Sequence, residues 1–253
     1  HTPTRRQRQM CIRDSLLSSS LSPRINNRKD KWGGSFENRA RLLQLILQKV
    51  RESVGNNFIL AVKINSSDFQ KGGLEISDSV KIANLIEKEN IDFIEVSGGN
   101  FEAPEAYQYV SLKESTKSRE AYFLDAAKNI KASVSIPIMV TGGFRSISVM
   151  EDALTSSSTD LIGIGRPFVI DPSFPYKLLN GDISVLPAVE RNFPPVHDIP
   201  KGAVLNWFCD QLAMQGKTGK GDINIPLIDG HERYIKQSDE ATHSLISFRN
   251  DSK

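Results

Sequence analysis

The sequence predicts an α/β protein with a parallel β-sheet. Four short apolar segments end in glycine or polar residues, and they alternate with segments whose apolar residues recur at helical spacing. Short connections join these segments, which is typical of strand–helix units in a parallel sheet. The predicted strands span residues 58–65, 91–99, 136–143 and 160–165.

The predicted helices lie before, between and after these strands. The first begins after Ser35, a residue type that caps helix N-termini, and ends at Gly55. Its apolar residues share one face, namely Leu42, Leu43, Ile46, Leu47 and Val50. Glu37 and Arg39, in its first turn, are expected to serve the scaffold. Further helices are predicted over residues 77–90, 118–134, 146–158 and 203–215.

A lysine interrupts the first predicted strand. Lys63 lies in an otherwise apolar run, so it must reach the open end of the strand or meet an anion. Because Asn65 and Asp68 follow closely, a polar cavity is favoured over a lysine that merely reaches solvent. Glu95 in the second strand poses the same question, and a structural role as partner of Lys63 or of another cation is favoured.

Two strand ends combine glycine with arginine. Gly142 and Gly143 precede Arg145, and Gly165 precedes Arg166. Glycine allows close backbone approach to a ligand, and N–H groups at a helix start bind anions. Such a pair of ends resembles the phosphate site after the last two strands of a TIM (β/α)8 barrel. The alternative is a pair of tight turns that need glycine for geometry alone.

Composition narrows the function classes. The chain has 253 residues, 39% hydrophobic and 25% charged, and its apolar runs are too short to span a membrane. Two cysteines without a CxxC pattern and four histidines without ligand spacing predict no disulfide framework and no metal site. A reducing, cytoplasmic location is therefore the default.

The charge distribution argues against nucleic-acid binding. The net charge is +2, but residues 1–31 alone contribute +6, and the remaining 222 residues hold 24 basic and 28 acidic side chains, a balance of −4. A basic face with aromatic residues is therefore not indicated. No Ser-His-Asp, HExxH, GxGxxG or P-loop pattern is present either.

Five segments together resemble the Old Yellow Enzyme family of NADH:flavin oxidoreductases. They are LSPRINNRKDKWGGSFENRARLL, VKINSSDFQKGG, FIEVSGGNFEAP, IPIMVTGGFRS and DLIGIGRPFVIDPSF, and they cover roughly residues 16–180. DKWGGSFENR is the most specific of these motifs. The resemblance implies a TIM barrel that carries FMN on the C-terminal face of its strands.

The resemblance also implies roles for five residues. Lys63 takes the position of the basic residue that contacts the flavin pyrimidine edge. Gly142 and Gly143 fall on the loop whose backbone N–H groups bind the FMN phosphate, and Gly165 and Arg166 form the second half of that site. The implied activity is an oxidoreductase reaction in which NADH or NADPH reduces FMN and FMN reduces a small-molecule substrate, often an activated alkene.

One family feature is missing. In the family, a segment like HxAHGY or HxANGY precedes LLSxFLSPR and holds the substrate-binding His-His or His-Asn pair and a tyrosine proton donor. Met10, Arg13 and Ser15 occupy the aligned positions here, and none can do that work. No catalytic residue is therefore predicted before Leu16 or elsewhere in the chain.

The expected organisation is a truncated half-barrel of about four parallel strands with helices. Residues 1–15 are expected to be a non-native or disordered N-terminus, residues 16–180 a partial FMN-binding barrel, and residues 181–253 an extension with one helix and a loose tail. Such a chain is expected to bind FMN weakly or not at all and to lack turnover by itself.

Two other functions stay open on the residues alone. One is a flavin-free, phosphate-binding barrel aldolase or isomerase that uses Lys63 as a Schiff-base or general-base lysine. The other is a non-catalytic remnant that serves as an interaction surface. Under the leading interpretation the partner is a small-molecule substrate, with no nucleic acid and no membrane, and the chain is compatible with an oligomer.

Overall fold

The computed structural model of the chain describes residues 16–69, 71–98 and 120–251. The predicted N-terminal segment 1–15, with Met10, Arg13 and Ser15, lies outside the described residues. The chain divides into two compact units at Ile164, and each unit is described by itself. The division comes earlier than the boundary near residue 180 that the sequence suggests, so the predicted barrel segment extends into the second unit.

The first unit alternates helices and strands, and residues 16–21 before them are also helical. In chain order they are α1 (Phe36–Val54), β1 (Ala61–Asn65), α2 (Ile76–Lys88), β2 (Phe93–Ser97), α3 (Leu124–Lys131), β3 (Ile138–Thr141), α4 (Ile147–Thr155) and β4 (Leu161–Gly163). The strands form one sheet in the order β1-β2-β3-β4, and every neighbouring pair is parallel. The predicted α/β class and the four predicted strands are confirmed.

Alternation along the strands gives the sheet two different faces. One face is apolar and buried, with Ile64, Ile94, Val96 and Val140 in it, and helices α2 and α3 pack against the sheet. On the other face a row of register partners runs across the four strands: Lys63, Glu95, Met139 and Leu161. Lys63, which interrupts β1, therefore lies on the face opposite the helix-covered core, where the helices do not desolvate its charge.

Helix α1 has the ends that its sequence predicts. The Ser35 hydroxyl accepts a hydrogen bond from the Asn38 N–H at 3.3 Å, which caps the N-terminus. Gly55 ends the helix with φ +74° and donates its N–H to the Arg51 carbonyl at 2.9 Å. Arg39 is buried and donates to the carbonyls of Leu21 and Gly34, at 2.8 and 2.6 Å, so it ties the WGGSFENR segment to the scaffold as expected.

Helix α3 begins later than the predicted start at residue 118. Ala121 has φ +55°, a left-handed conformation that an α-helix cannot contain, and the helix starts at Leu124. The apolar pattern of residues 118–134 does not reveal this turn, because Ala121 is a strong helix former in sequence terms.

The second unit is helical. Its elements are α5 (Arg166–Ile170), α6 (Phe174–Leu179), two 3-10 turns (Val189–Asn192 and Val196–Asp198), α7 (Ala203–Thr218) and α8 (Leu227–Asp251). Helices α7 and α8 pack on each other around the fully buried Trp207. None of the helices within the described ranges has the length and apolar character to cross a bilayer.

The C-terminal part differs from the sequence expectation of one helix and a loose tail. Residues 227–251 form a second, 25-residue helix. Its sequence is mostly polar, and Gly230 lies at the end of its first turn, where glycine disfavours a helix. Packing against α7 stabilises the helix where the intrinsic helix propensity of its residues is low. A Cβ at Gly230 would lie 2.5 Å from the Trp207 ring, so glycine allows the close approach of the two helices.

Candidate functional site

The carboxyl ends of the four parallel strands lie at one edge of the sheet. Parallel α/β sheets, closed or open, bind their ligands at this edge. Three predicted site residues, Lys63, Gly142 and Gly143, lie in the first unit at or near it. Gly165 and Arg166 follow β4 closely in the sequence and open the second unit.

Lys63 forms an ion pair with the residue opposite it on the next strand. Its Nζ lies 2.8 Å from Oε1 of Glu95, and the two residues are register partners in β1 and β2. The lysine side chain is 56% exposed and the glutamate 19%. The pairing that the sequence suggested is therefore present, and it holds a cation on the face of the sheet opposite the helix-covered core.

Asp68 does not add to a polar cavity beside Lys63. It is buried in the loop after β1, where its Oδ2 accepts hydrogen bonds from the Ser22 hydroxyl and the Leu74 N–H, at 2.8 and 2.9 Å. These contacts close the loop and connect it to the segment before α1. The side chain that suggested a polar cavity thus has a structural use.

The glycine pair after β3 adopts backbone conformations that favour glycine. Gly142 has φ +146° and Gly143 has φ +82°. A Cβ at Gly142 would lie 2.8 Å from the Phe123 ring, and one at Gly143 would lie 2.6 Å from the Tyr122 ring. The turn therefore needs glycine for backbone geometry and for aromatic packing, independently of any phosphate.

A carboxylate that sequence reasoning missed caps the helix after this turn. Glu120 accepts hydrogen bonds from the backbone N–H groups of Arg145 and Ser146, both at 2.7 Å, and from the Ser146 hydroxyl at 2.5 Å. The N-terminus of α4 thus already holds an anion from the chain itself. A phosphate site in this turn would depend on the Gly142–Gly143 backbone and not on the start of α4.

The hydrogen bonds to Glu120 control its ionisation. Burial by itself would raise the pKa of this carboxyl, but the bonds from Ser146 and Arg145 outweigh burial and bring the pKa below its ordinary value of 4.5. A lowered pKa in the folded state means that ionised Glu120 stabilises the fold above about pH 4.5. That contribution is lost as the pH falls through the lowered pKa.

Replacing Glu120 with glutamine should therefore flatten the acid dependence of stability. We expect the variant to be less stable than the wild type at pH 7 by up to about 1 kcal/mol, because the site is partly exposed and screened. The difference should shrink as the pH falls below about 4.5. Urea unfolding at pH 7 and pH 3.5 measures it, with the exposed α4 residue Glu151→Gln as control. A difference that is the same at both pH values would contradict the role of the carboxylate charge.

The end of β4 also lacks room for a side chain. Gly163 is the register partner of Thr141, and a Cβ there would lie 1.8 Å from the Thr141 Oγ1. That hydroxyl is buried and has no hydrogen-bond partner among the described residues. Buried polar atoms without a partner are uncommon in native structures, and this one lies beside the Gly142–Gly143 turn.

Arg166 is held by a second carboxylate that the sequence did not reveal. Its Nη1 lies 2.8 Å from Oε1 of Glu190, whose side chain is only 2% exposed. Gly165 precedes it as the residue before α5, and a Cβ there would meet no atom within 4 Å. Packing within the described residues therefore does not require glycine at position 165, unlike positions 142 and 143.

Comparison with known proteins decides the family. Residues 14–182 match the NADH:flavin oxidoreductase / NADH oxidase family over two thirds of the chain. The chain belongs to this family. The resemblance to the Old Yellow Enzyme family is confirmed, and the family match supports FMN as cofactor and NADH or NADPH as reductant.

A curated relative and two solved structures define the extent of the match. The NADH-dependent flavin oxidoreductase iliE of Neonectria sp. (strain DH2) is 37% identical over 169 residues, 63% of this chain and 22% of that protein. The 2-naphthoyl-CoA reductase in complex with 2-naphthoyl-CoA aligns with TM-score 0.61 and 32% identity, over 67% of this chain and 26% of that one. The old yellow enzyme homologue from Zymomonas mobilis aligns with TM-score 0.52 and 20% identity, over 74% and 48%.

These matches place the sheet in a known fold. The family's Old Yellow Enzyme structures are TIM barrels, and the four parallel strands of this chain correspond to part of such a barrel. The chain spans less than half the length of each of the three proteins named above. The predicted TIM-barrel class is confirmed, with four parallel strands among the described residues.

Proposed function

We propose that the protein is an FMN-dependent NAD(P)H oxidoreductase whose FMN site includes the carboxyl edge of this sheet. The observation that carries the proposal is the cation at Lys63, held 2.8 Å from Glu95 on the face opposite the helices. Family membership supplies the flavin. FMN, when bound, supplies hydride transfer from NADH or NADPH to a small-molecule substrate.

The described residues fit such a group. The Lys63 ammonium is available to the electron-rich pyrimidine edge of a flavin, and the positive-φ turn at Gly142 and Gly143 can direct backbone N–H groups at a phosphate. The orphaned Thr141 hydroxyl beside that turn also favours a polar ligand. For Gly165 and Arg166, which lie in the second unit, phosphate binding is proposed from the family resemblance.

The proposal assigns no proton donor or substrate-binding pair to this chain. The aligned positions Met10, Arg13 and Ser15 cannot fill those roles, and they lie outside the described residues. An activated alkene remains the proposed substrate class, and the neighbour that binds 2-naphthoyl-CoA supports a small-molecule substrate in general. We also propose a cytoplasmic location, and the proposal is compatible with an oligomer.

The chain by itself is proposed to bind FMN weakly and to lack turnover. Among the described strands, β1 and β4 each have a single neighbour, so the sheet has two open edges. Lys63, more than half exposed, meets solvent that screens its charge. Family membership favours this flavin function over the flavin-free aldolase or isomerase and over a non-catalytic remnant.

An FMN titration tests the proposal. The full 253-residue chain should bind FMN with a Kd in the micromolar range or weaker, measured by ultrafiltration and flavin fluorescence, and should not oxidise NADH. Lys63→Ala should weaken binding about fivefold, because a half-exposed charged contact contributes about 1 kcal/mol. Lys128→Ala is the control, since Lys128 has similar exposure, 53%, on helix α3.

Two outcomes would contradict the proposal. If wild type shows no FMN binding at millimolar protein concentrations, the carboxyl edge of this sheet is not a flavin site on its own. If Lys63→Ala and Lys128→Ala bind equally well, the cation on β1 plays no part in binding.

A further inference from the structure

Glu95 is the second charged residue on the face that carries Lys63. The row of register partners continues from Glu95 to Met139 and Leu161, which are apolar. Among the described residues, the register partner of Glu95 on its β3 side is therefore a thioether and not a cation. Lys63, on its β1 side, is the cation that meets it, at 2.8 Å.

The two partners differ in exposure. Glu95 is 19% exposed, and a carboxylate this far from water needs an ionic or hydrogen-bonding partner. Lys63 is the more exposed partner on a longer, flexible side chain. The less mobile carboxylate thus determines where the Lys63 ammonium lies, and it occupies one of the three ammonium N–H donors.

We propose that Glu95 is a positioning residue for Lys63 and that its charge limits how strongly this site favours reduced over oxidised FMN. This inference rests on the proposed function. Reduced FMN carries negative charge near the pyrimidine edge, so a nearby ammonium favours it over oxidised FMN. A carboxylate 2.8 Å from that ammonium offsets part of the positive potential.

The sign of the effect of each charge follows from this arrangement. Glutamine at position 95 keeps an oxygen that can accept the Lys63 N–H, but it removes the negative charge. The ammonium then acts uncompensated, and reduced FMN gains affinity relative to oxidised FMN. Methionine at position 63 removes the ammonium and leaves the Glu95 carboxylate without its cation. Reduced FMN then loses affinity relative to oxidised FMN.

The experiment measures two dissociation constants for each variant. The full chain is equilibrated anaerobically with oxidised FMN or with dithionite-reduced FMN, and free flavin is separated by ultrafiltration. For Glu95→Gln we expect the ratio of oxidised to reduced Kd to rise about tenfold, which corresponds to about 30 mV in the two-electron midpoint potential. For Lys63→Met we expect the ratio to fall below the wild-type value.

Glu52→Gln is the matched control, because Glu52 forms an exposed ion pair with Lys49 on helix α1. In this variant the ratio of oxidised to reduced Kd should stay at the wild-type value. Circular dichroism confirms that each variant is folded, and Lys63→Met provides a separate test of the sign if Glu95→Gln does not fold. A ratio that does not rise in folded Glu95→Gln, or does not fall in Lys63→Met, while wild type binds both forms, would overturn this inference and leave the proposed function standing. Failure of wild type to bind either form would overturn the proposed function and this inference with it.

Discussion

Replacing Trp207 with alanine should lower the free energy of unfolding of the second unit by about 3–5 kcal/mol. The indole is fully buried, and its Nε1–H donates to the Ile225 carbonyl at 2.9 Å. It also makes edge-to-face contacts with Phe193 and Phe208, and the centroid of each phenyl ring lies 5.1 Å from that of the indole. Truncation removes all these contacts and leaves a cavity between α7 and α8.

Urea unfolding followed by far-ultraviolet circular dichroism measures this loss without relying on tryptophan fluorescence. Leu205→Ala is the matched control, because Leu205 lies on the same helix and is 54% exposed, so its replacement should change stability by about 0.5 kcal/mol or less. Trp207→Phe should fall between the two, since it keeps an aromatic ring and loses the hydrogen bond. Equal stabilities of Trp207→Ala and Leu205→Ala would show that the indole is not the centre of this core.

The strands were predictable from sequence because their signal is local. Each observed strand lies inside the predicted segment and is shorter than it. At the first strand, Phe58 and Ile59 extend the apolar run but are exposed, and β1 begins at Ala61. An apolar run shows that a strand is present, whereas its ends depend on pairing with neighbours, which the run does not encode.

The ion pair between Lys63 and Glu95 could also be predicted from the sequence. Both residues interrupt apolar strands at the same distance from the polar strand end, and consecutive parallel strands usually lie side by side. A cation and an anion at matching positions are then expected to meet.

The contacts of Glu120 and Glu190 could not be predicted from the sequence, because no local pattern encodes them. Glu120 caps a helix 25 residues further along the chain, and Glu190 meets an arginine in a different helix. Glu120 lies in a segment that the sequence predicts as helical but precedes the observed start of α3 at Leu124, and Glu190 lies in a segment without clear periodicity. Contacts of this kind depend on how loops return to the sheet or to a neighbouring helix, and single-sequence patterns carry no information about that return.

Replacing Gly143 with alanine should separate the two explanations for the glycine turn. The residue has φ +82°, so a Cβ adds about 1–2 kcal/mol of backbone strain, and contact with the Tyr122 ring at 2.6 Å adds about 1–3 kcal/mol more. We expect a loss of stability of about 2–5 kcal/mol in total. If the turn also binds phosphate, the preference for FMN over riboflavin should fall about tenfold.

Gly72→Ala is the matched control for backbone strain. Gly72 has φ +77°, close to that of Gly143, and a Cβ there would meet no atom within 4 Å. This variant should lose only about 1–2 kcal/mol of stability and keep the FMN preference. Urea unfolding measures the stability, and parallel titrations with FMN and riboflavin measure the preference. If Gly143→Ala loses stability but keeps the wild-type preference for FMN, the glycines serve aromatic packing alone, and the phosphate contacts must come from elsewhere than this turn.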